Sequence, residues 1–136
     1  MKKSILIIAA HPDDEVLGCG GTIAKHVDSG DEVNTIIISE GLTSRRPQRD
    51  REIVKSELSE LSNAAKNAAS ILGVNNIEIL DYPDNRMDSI DLLDIVKVIE
   101  TRIEKYKPSI IYTHHSGDVN IDHNIVHDAV TVSYTH

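Results

Sequence analysis

A three-layer, Rossmann-like α/β fold with a mostly parallel sheet follows from three features of this 136-residue sequence. Four short runs of Ile, Val, Leu and Ala recur along it, segments of helical period separate them, and the 40% of hydrophobic residues include no Phe and no Trp. Parallel strands covered by helices on both faces are built from such aliphatic residues. Alternation of strand and helix implies right-handed crossovers between neighbouring strands.

Residues 5–9 read as the first strand and residues 16–29 as the crossover helix after it, closed by Gly30. Residues 33–38 form the second strand. Leu58, Leu61, Ala65, Ala68 and Leu72 then fall at alternating three- and four-residue steps, the apolar stripe of a helix that Gly73 stops. Residues 77–80 are the third strand. Leu92, Ile95, Val96, Ile99 and Ile103 mark the next helix, with Ser89 or Asp88 placed to cap its start and Pro108 beyond its end. Residues 110–112 make the fourth strand, and a last helix is expected over residues 122–129. No repeat, low-complexity tract or linker divides the chain, so residues 1–136 read as one domain.

Fourteen Lys and Arg stand against 22 Asp and Glu, a net charge of −8. Nucleic-acid phosphate and anionic membranes both call for a basic surface, so neither is an expected partner. The single Cys19 excludes an internal disulfide and a zinc site built from several Cys, which fits a reducing compartment. No run approaches the roughly 18 apolar residues of a membrane span. The apolar stretch after Lys2 and Lys3 is short for a signal peptide and leads into His11-Pro12-Asp13-Asp14-Glu15 where a small-residue cleavage site belongs. A cytoplasmic protein is the expectation.

Ligands of open α/β sheets sit beyond the carboxyl ends of the strands, where strand order reverses. Directly after the first strand come His11, Asp13, Asp14 and Glu15, and charges at the end of a buried strand are costly without compensation. A divalent cation supplies it. His11 and Asp14, three residues apart across a turn fixed by Pro12, can reach one ion, with Asp13 elsewhere in the same cleft. A helix dipole alone accounts for an acidic first turn. It does not account for the second cluster, residues 113–123, which follows the fourth strand and holds His114, His115, Asp118, Asp122 and His123, with His127 one turn on. If the fourth strand lies beside the first, the two clusters face each other. Two imidazoles, one carboxylate and an open position make a catalytic zinc site.

The stretch from Ala10 to Glu15, continued by Leu17-Gly18-Cys19-Gly20-Gly21-Thr22-Ile23, resembles the PIG-L/LmbE-type family of zinc-dependent N-deacetylases. So do the Leu72-Gly73-Val74 helix stop, the loop from Tyr82 to Asp88, the Thr113-His114-His115 stretch and the segment from Asp118 to His123. The resemblance implies hydrolysis of an N-acetylated amino sugar or glycoconjugate to acetate and a free amine. It makes His11, Asp14 and His123 ligands of Zn²⁺, Asp13 the general base, and Asp122 the residue that orients a neighbouring imidazole. One position departs from the family pattern. A leading His that helps to stabilise the oxyanion is replaced here by Asn120, so the resemblance leaves that task to His115 or to a group of the substrate. The partner implied is a small N-acetylated sugar or nucleotide sugar, with a homo-oligomer as a further expectation. The family fold continues beyond the Asp122-His123 pair, whereas this chain ends at His136 with a tail from Ser133 that does not resemble that continuation. A fold lacking the C-terminal part is therefore expected.

The loops after the second and third strands are expected to shape the substrate pocket, with Arg45, Asn85 and Arg86 as sugar contacts and Asp84 and Asp88 beside them. His127 reads as a partly buried helical residue, His26 as a surface residue and Cys19 as a packing residue. Gly18, Gly20 and Gly21 do not make a dinucleotide fingerprint, because Ile23 stands where its last Gly is required, and they read as allowing close packing or turning near the metal loop. Two rivals remain. A metal-dependent phosphoesterase would use the same clusters with two ions roughly 3.5–4 Å apart, and a truncated metal-binding domain would show little activity.

Overall fold

The computed structural model describes residues 1–135; His136 lies outside the described residues. Four parallel strands, β1 (Ser4–Ala9), β2 (Glu32–Ser39), β3 (Asn76–Tyr82) and β4 (Ile110–Tyr112), form one sheet in the order β3-β2-β1-β4. Helices α1 (Asp14–Asp28), α2 (Lys55–Leu72), α3 (Leu92–Tyr106) and α4 (Ile121–Thr135) follow the strands in turn. Each strand lies within a residue or two of its expected place. Among the described residues no helix is long and apolar enough to cross a membrane.

Period-two alternation along β1 builds both layers of the core. Ile5 and Ile7 face one side, where they meet Val33, Ile23 of α1 and Leu72 of α2. Leu6 and Ile8 face the other, against Ile36 and Ile38, Ile95, Val96 and Ile99 of α3, and Val126, Ala129 and Val130 of α4. All four β1 side chains are at most 2% exposed, so burying them stabilises the fold by roughly 1.5–3 kcal/mol each. Strand order runs outward from β1 through β2 to β3 and then returns to the far side of β1 at β4. The reversal falls between β1 and β4, with Ile5 opposite Ile110 and Ile7 opposite Tyr112. Their carboxyl ends open at one edge, and the loops leaving them carry the two His/Asp clusters.

Helix ends differ from expectation in three places. Helix α1 starts at Asp14, which puts two carboxylates, Asp14 and Glu15, in its first turn. The N-cap position of α3 is held by Asp91, not by Ser89 or Asp88, and the Asp91 side chain makes no capping bond. Residues 87–89 form a tight 3-10 turn in which Ser89 Oγ donates to the Arg86 carbonyl at 2.6 Å, so that side chain is already committed. Helix α4 runs on to Thr135 because Val126, Ala129, Val130 and Ser133 continue one buried face. Gly73 ends α2 as expected, at φ 83, and a Cβ there would stand 2.6 Å from Val27 Cγ1. The glycines of α1 are corrected. Gly18, Gly20 and Gly21 lie inside the helix, and a Cβ at Gly18 or Gly21 would meet nothing within 4 Å. They make neither a turn nor a close approach, and nothing in the structure explains them.

Candidate metal centre

The β1–α1 loop turns sharply at Asp13, which adopts φ 110, ψ −26 immediately before the helix. That turn folds Asp14 back on His11: Asp14 Oδ2 accepts the His11 backbone N–H at 3.0 Å and lies 3.2 Å from His11 Nδ1. Asn120 supplies the matching turn at the other loop. Its side-chain oxygen accepts the N–H groups of Asp122 and His123 at 2.9 and 3.2 Å, capping α4 and setting both residues on the first turn. His123 Nε2 then stands 3.2 Å from His11 Nδ1 and 3.0 Å from Asp14 Oδ2.

Three donor atoms from two loops thus form a triangle with sides of 3.0–3.2 Å. The far nitrogens of both imidazoles are tied to carboxylates: His11 Nε2 donates to Asp122 Oδ2 at 2.8 Å, and His123 Nδ1 donates to Asp118 Oδ2 at 2.8 Å. Carboxylates accept only, so each imidazole commits one N–H to Asp122 or Asp118 and leaves its near nitrogen, His11 Nδ1 or His123 Nε2, as the atom that would bind a metal beside Asp14. A tetrahedral zinc with bonds of about 2.0–2.2 Å requires ligand atoms roughly 3.3–3.6 Å apart. The triangle is within a few tenths of an ångström of that, and imidazoles backed by carboxylates are the usual support of a metal ligand.

The electrostatics point the same way. Burial pulls the His11 imidazole down, but hydrogen bonds to Asp122 and Asp14 and their charges outweigh it and push it up to about 10. For Asp14, burial pushes upward and is outweighed by the hydrogen bonds from His11, which hold the carboxyl below its usual range. A positive charge belongs at the centre of this triangle. Asp13, exposed and without a capping bond, is raised by partial burial and by the charge of Asp14, with His11 and His123 opposing. The other candidate ligand groups share members with the first: His11 with Asp84 and Asp122, and His123 with His114 and Asp118.

Asp122 is the hub of the cluster. Fully buried, it holds His11 through Oδ2, accepts the Asn85 N–H on the same oxygen at 2.6 Å, and accepts the Met87 N–H on Oδ1 at 3.0 Å. It thereby fixes the β3–α3 loop against the triangle. Asn85 is exposed at φ 53, and its side chain contacts Ser44 and Asn120. Arg86 is turned away toward the β2–α2 loop, where Nη2 donates to the carbonyls of Arg46 and Pro47 at 3.4 and 3.2 Å. Arg45 stands exposed on a short 3-10 turn of that loop.

Two expectations about histidines are corrected. His115 is exposed, its Nδ1 accepting the Gly117 N–H at 2.9 Å, and the imidazole at the cluster is its neighbour His114. His114 stacks on His123 with ring centroids 3.9 Å apart, and its Nε2 accepts the Ala10 N–H at 2.9 Å. Burial, with the His123 imidazole stacked against it, lowers His114 to about 4. The side-chain hydroxyl of Thr113 donates to the Ile8 carbonyl at 2.9 Å, and this anchor carries the next residue over the end of β1. His26 is not a free surface residue: its Nδ1 is 2.7 Å from Asp31 Oδ2 and its Nε2 is 2.9 Å from the Tyr112 hydroxyl. His127 is half-buried and donates through Nδ1 to the His114 carbonyl at 2.8 Å. Sequence reasoning put His114 and Asp118 in the cluster without giving either a role, and it read Asp122 as orienting an imidazole but not as holding the β3–α3 loop through Asn85 and Met87. The signal of His114 and Asp118 was membership of the loop that carries His123.

Comparison with known proteins adds the following. The sequence pattern of the PIG-L family, GlcNAc-PI de-N-acetylase, matches residues 6–134. The chain is 30% identical to the uncharacterized deacetylase YaiS of Escherichia coli, over 97% of this chain and 68% of that protein. It is 36% identical to diacetylchitobiose deacetylase of Thermococcus kodakarensis, over 80% of this chain and 39% of that one. It is also 30% identical to 4-oxalmesaconate hydratase of Pseudomonas putida, over 90% and 48% of the two chains. The fold matches N,N'-diacetylchitobiose deacetylase from Pyrococcus horikoshii with a TM-score of 0.82 at 24% identity, over 98% of this chain and 49% of that one. Apart from YaiS, the chain spans half or less of the length of these proteins.

Proposed function

This chain belongs to the PIG-L family, and from that membership we propose that it hydrolyses an N-acetylated amino sugar or glycoconjugate to acetate and a free amine, with zinc held by His11, Asp14 and His123. The observation that carries the proposal is the triangle of donor atoms 3.0–3.2 Å apart, whose ligand Asp14 directly follows Asp13 in the chain. Bound zinc supplies a Lewis acid that polarises the amide carbonyl and lowers the pKa of water toward about 7.

The chain's own residues do the rest. Asp122 and Asp118 hold the two imidazoles in the tautomers that leave His11 Nδ1 and His123 Nε2 free. Asp13 takes a proton from the attacking water onto its carboxyl. Its raised proton affinity, from partial burial and the neighbouring Asp14, suits it to hold that proton and pass it to the departing nitrogen. Asn85, kept at the mouth of the site by Asp122, and Arg45 offer hydrogen bonds to sugar hydroxyls. Arg86 acts on the substrate through the loop it ties down. The diacetylchitobiose deacetylase of Thermococcus kodakarensis makes chitobiose-type N-acetyl sugars the first substrates to try.

The test is acetate release from diacetylchitobiose, N-acetylglucosamine and nucleotide-linked N-acetyl sugars by the zinc-loaded chain. Asp13→Asn is expected to lower kcat by about 10²–10⁴-fold with the zinc retained. The hydratase relative supports a second reading, addition of water to a carbon–carbon double bond by the same metal and base. Consumption of an unsaturated dicarboxylate without acetate release would favour that reading, and phosphate release with two metals per chain would favour a phosphoesterase.

A further inference from the structure

We propose that Glu15 positions Asp13, and that one buried water joins Glu15 to Thr35 behind the metal centre; the first part rests on Asp13 being the base. The backbone of Asp13 lies in a region that a residue with a Cβ enters only under constraint, at φ 110, and its side chain makes no capping bond that would hold it there. Glu15 supplies the constraint. Its side chain folds back over two residues, and Oε1 accepts the Asp13 N–H at 2.7 Å.

The other oxygen of Glu15 faces a different environment. Glu15 is 4% exposed, and its Oε2 has no hydrogen-bond partner among the described residues. Thr35 Oγ1, on a residue of β2 that is 1% exposed, has none either. Both residues line one cavity of about 10 Å³, whose other walls include Ile23, Ala65 and Leu72. Unpartnered buried polar atoms are few in any protein, and two on one cavity have a common cause. A cavity of roughly 10–15 Å³ takes one water, provided that polar atoms hold it. A water that accepts the Thr35 hydroxyl proton and donates to Glu15 Oε2 satisfies both atoms. A hydrogen-bonded line then runs from the floor of the sheet at Thr35, through the water and Glu15, to the backbone of Asp13.

Thr35→Val decides between this line and a hydroxyl that is merely unpartnered, because it removes the oxygen and keeps the branched shape. With the water present, the variant strands Glu15 Oε2. Its Tm falls, the Asp13 amide exchanges with solvent several-fold faster by NMR, and kcat drops with KM unchanged. With no water, losing an unpartnered buried hydroxyl raises Tm and leaves amide exchange and kcat as they were, which overturns the water. Glu15→Ala is expected to lower kcat about 10- to 100-fold, and Glu15→Gln, which keeps an oxygen for the Asp13 N–H, to recover most of that loss. Equal losses in the two variants, or none in Glu15→Ala, overturn the role of Glu15. Amide exchange is read with or without turnover. A chain that releases no acetate counts against the proposed reaction, while slow Asp13 exchange that depends on Glu15 still supports the brace.

Discussion

At the scale of single residues, the site depends on carboxylates that never touch the centre of the triangle. Asp122 illustrates this: one buried side chain sets the tautomer of His11 and pins Asn85 and Met87. Asp122→Asn presents an amide N–H where the His11 and backbone donors need an acceptor. The variant is expected to bind zinc about 10- to 100-fold more weakly, measured by competition with a chromophoric chelator; an unchanged affinity would show that His11 is oriented without it. The same scale shows where the sequence fell short. His114 and His115 are adjacent and identical, and which of them enters the cluster is decided by Thr113 anchoring to the Ile8 carbonyl, a contact between residues 105 positions apart. No local pattern encodes that. Arg86 was read as a sugar contact from its place in the loop after the third strand, and the structure commits its guanidinium to two loop carbonyls.

At the scale of elements, the strands and the apolar helix faces were legible because aliphatic runs and three-to-four spacing are direct records of burial. Helix ends were less so, since Ser89, Asp88 and Asp91 all have cap-forming side chains and the 3-10 turn at 87–89 selects among them. Glycines offer a test of both cases. Gly18→Ala and Gly21→Ala add a methyl to open space within α1 and are each expected to stabilise the chain by about 0.5–1 kcal/mol in urea unfolding. Gly73→Ala meets Val27 Cγ1 at 2.6 Å and takes a left-handed φ of 83, so it is expected to destabilise by about 1–2 kcal/mol or more. Stabilisation at Gly73, or destabilisation at Gly18, would contradict the helix boundaries.

At the scale of the whole molecule, the sheet order determines where chemistry can occur: the reversal between β1 and β4 brings residues 11–14 and 114–123 together from opposite ends of the chain. Alternation of strands and helices implied the parallel sheet, and the meeting of the two clusters was conditional on β4 lying beside β1, a condition the sheet order meets. The fold also carries an acid limit away from the candidate metal centre. Glu40 is buried at the end of β2, and although burial pushes its carboxyl up, Arg49, Thr43 and Arg51 outweigh this and hold it below the usual range. Arg102 and Tyr106 do the same for Glu78 against its burial. Carboxyls held low in the folded chain give stability that is complete above the unfolded glutamate pKa of about 4.3 and is lost as pH falls through the lower folded value. The urea midpoint is expected to decline below about pH 5, and less steeply in Glu40→Gln; equal slopes would remove Glu40 from the account.

The central claim is that His11, Asp14 and His123 hold one zinc ion, and metal analysis of the zinc-reconstituted chain beside His11→Ala tests it most directly. One zinc per chain in the parent, with little or none in a folded His11→Ala, is the predicted result. Equal zinc in the two proteins, or none in either, would contradict it.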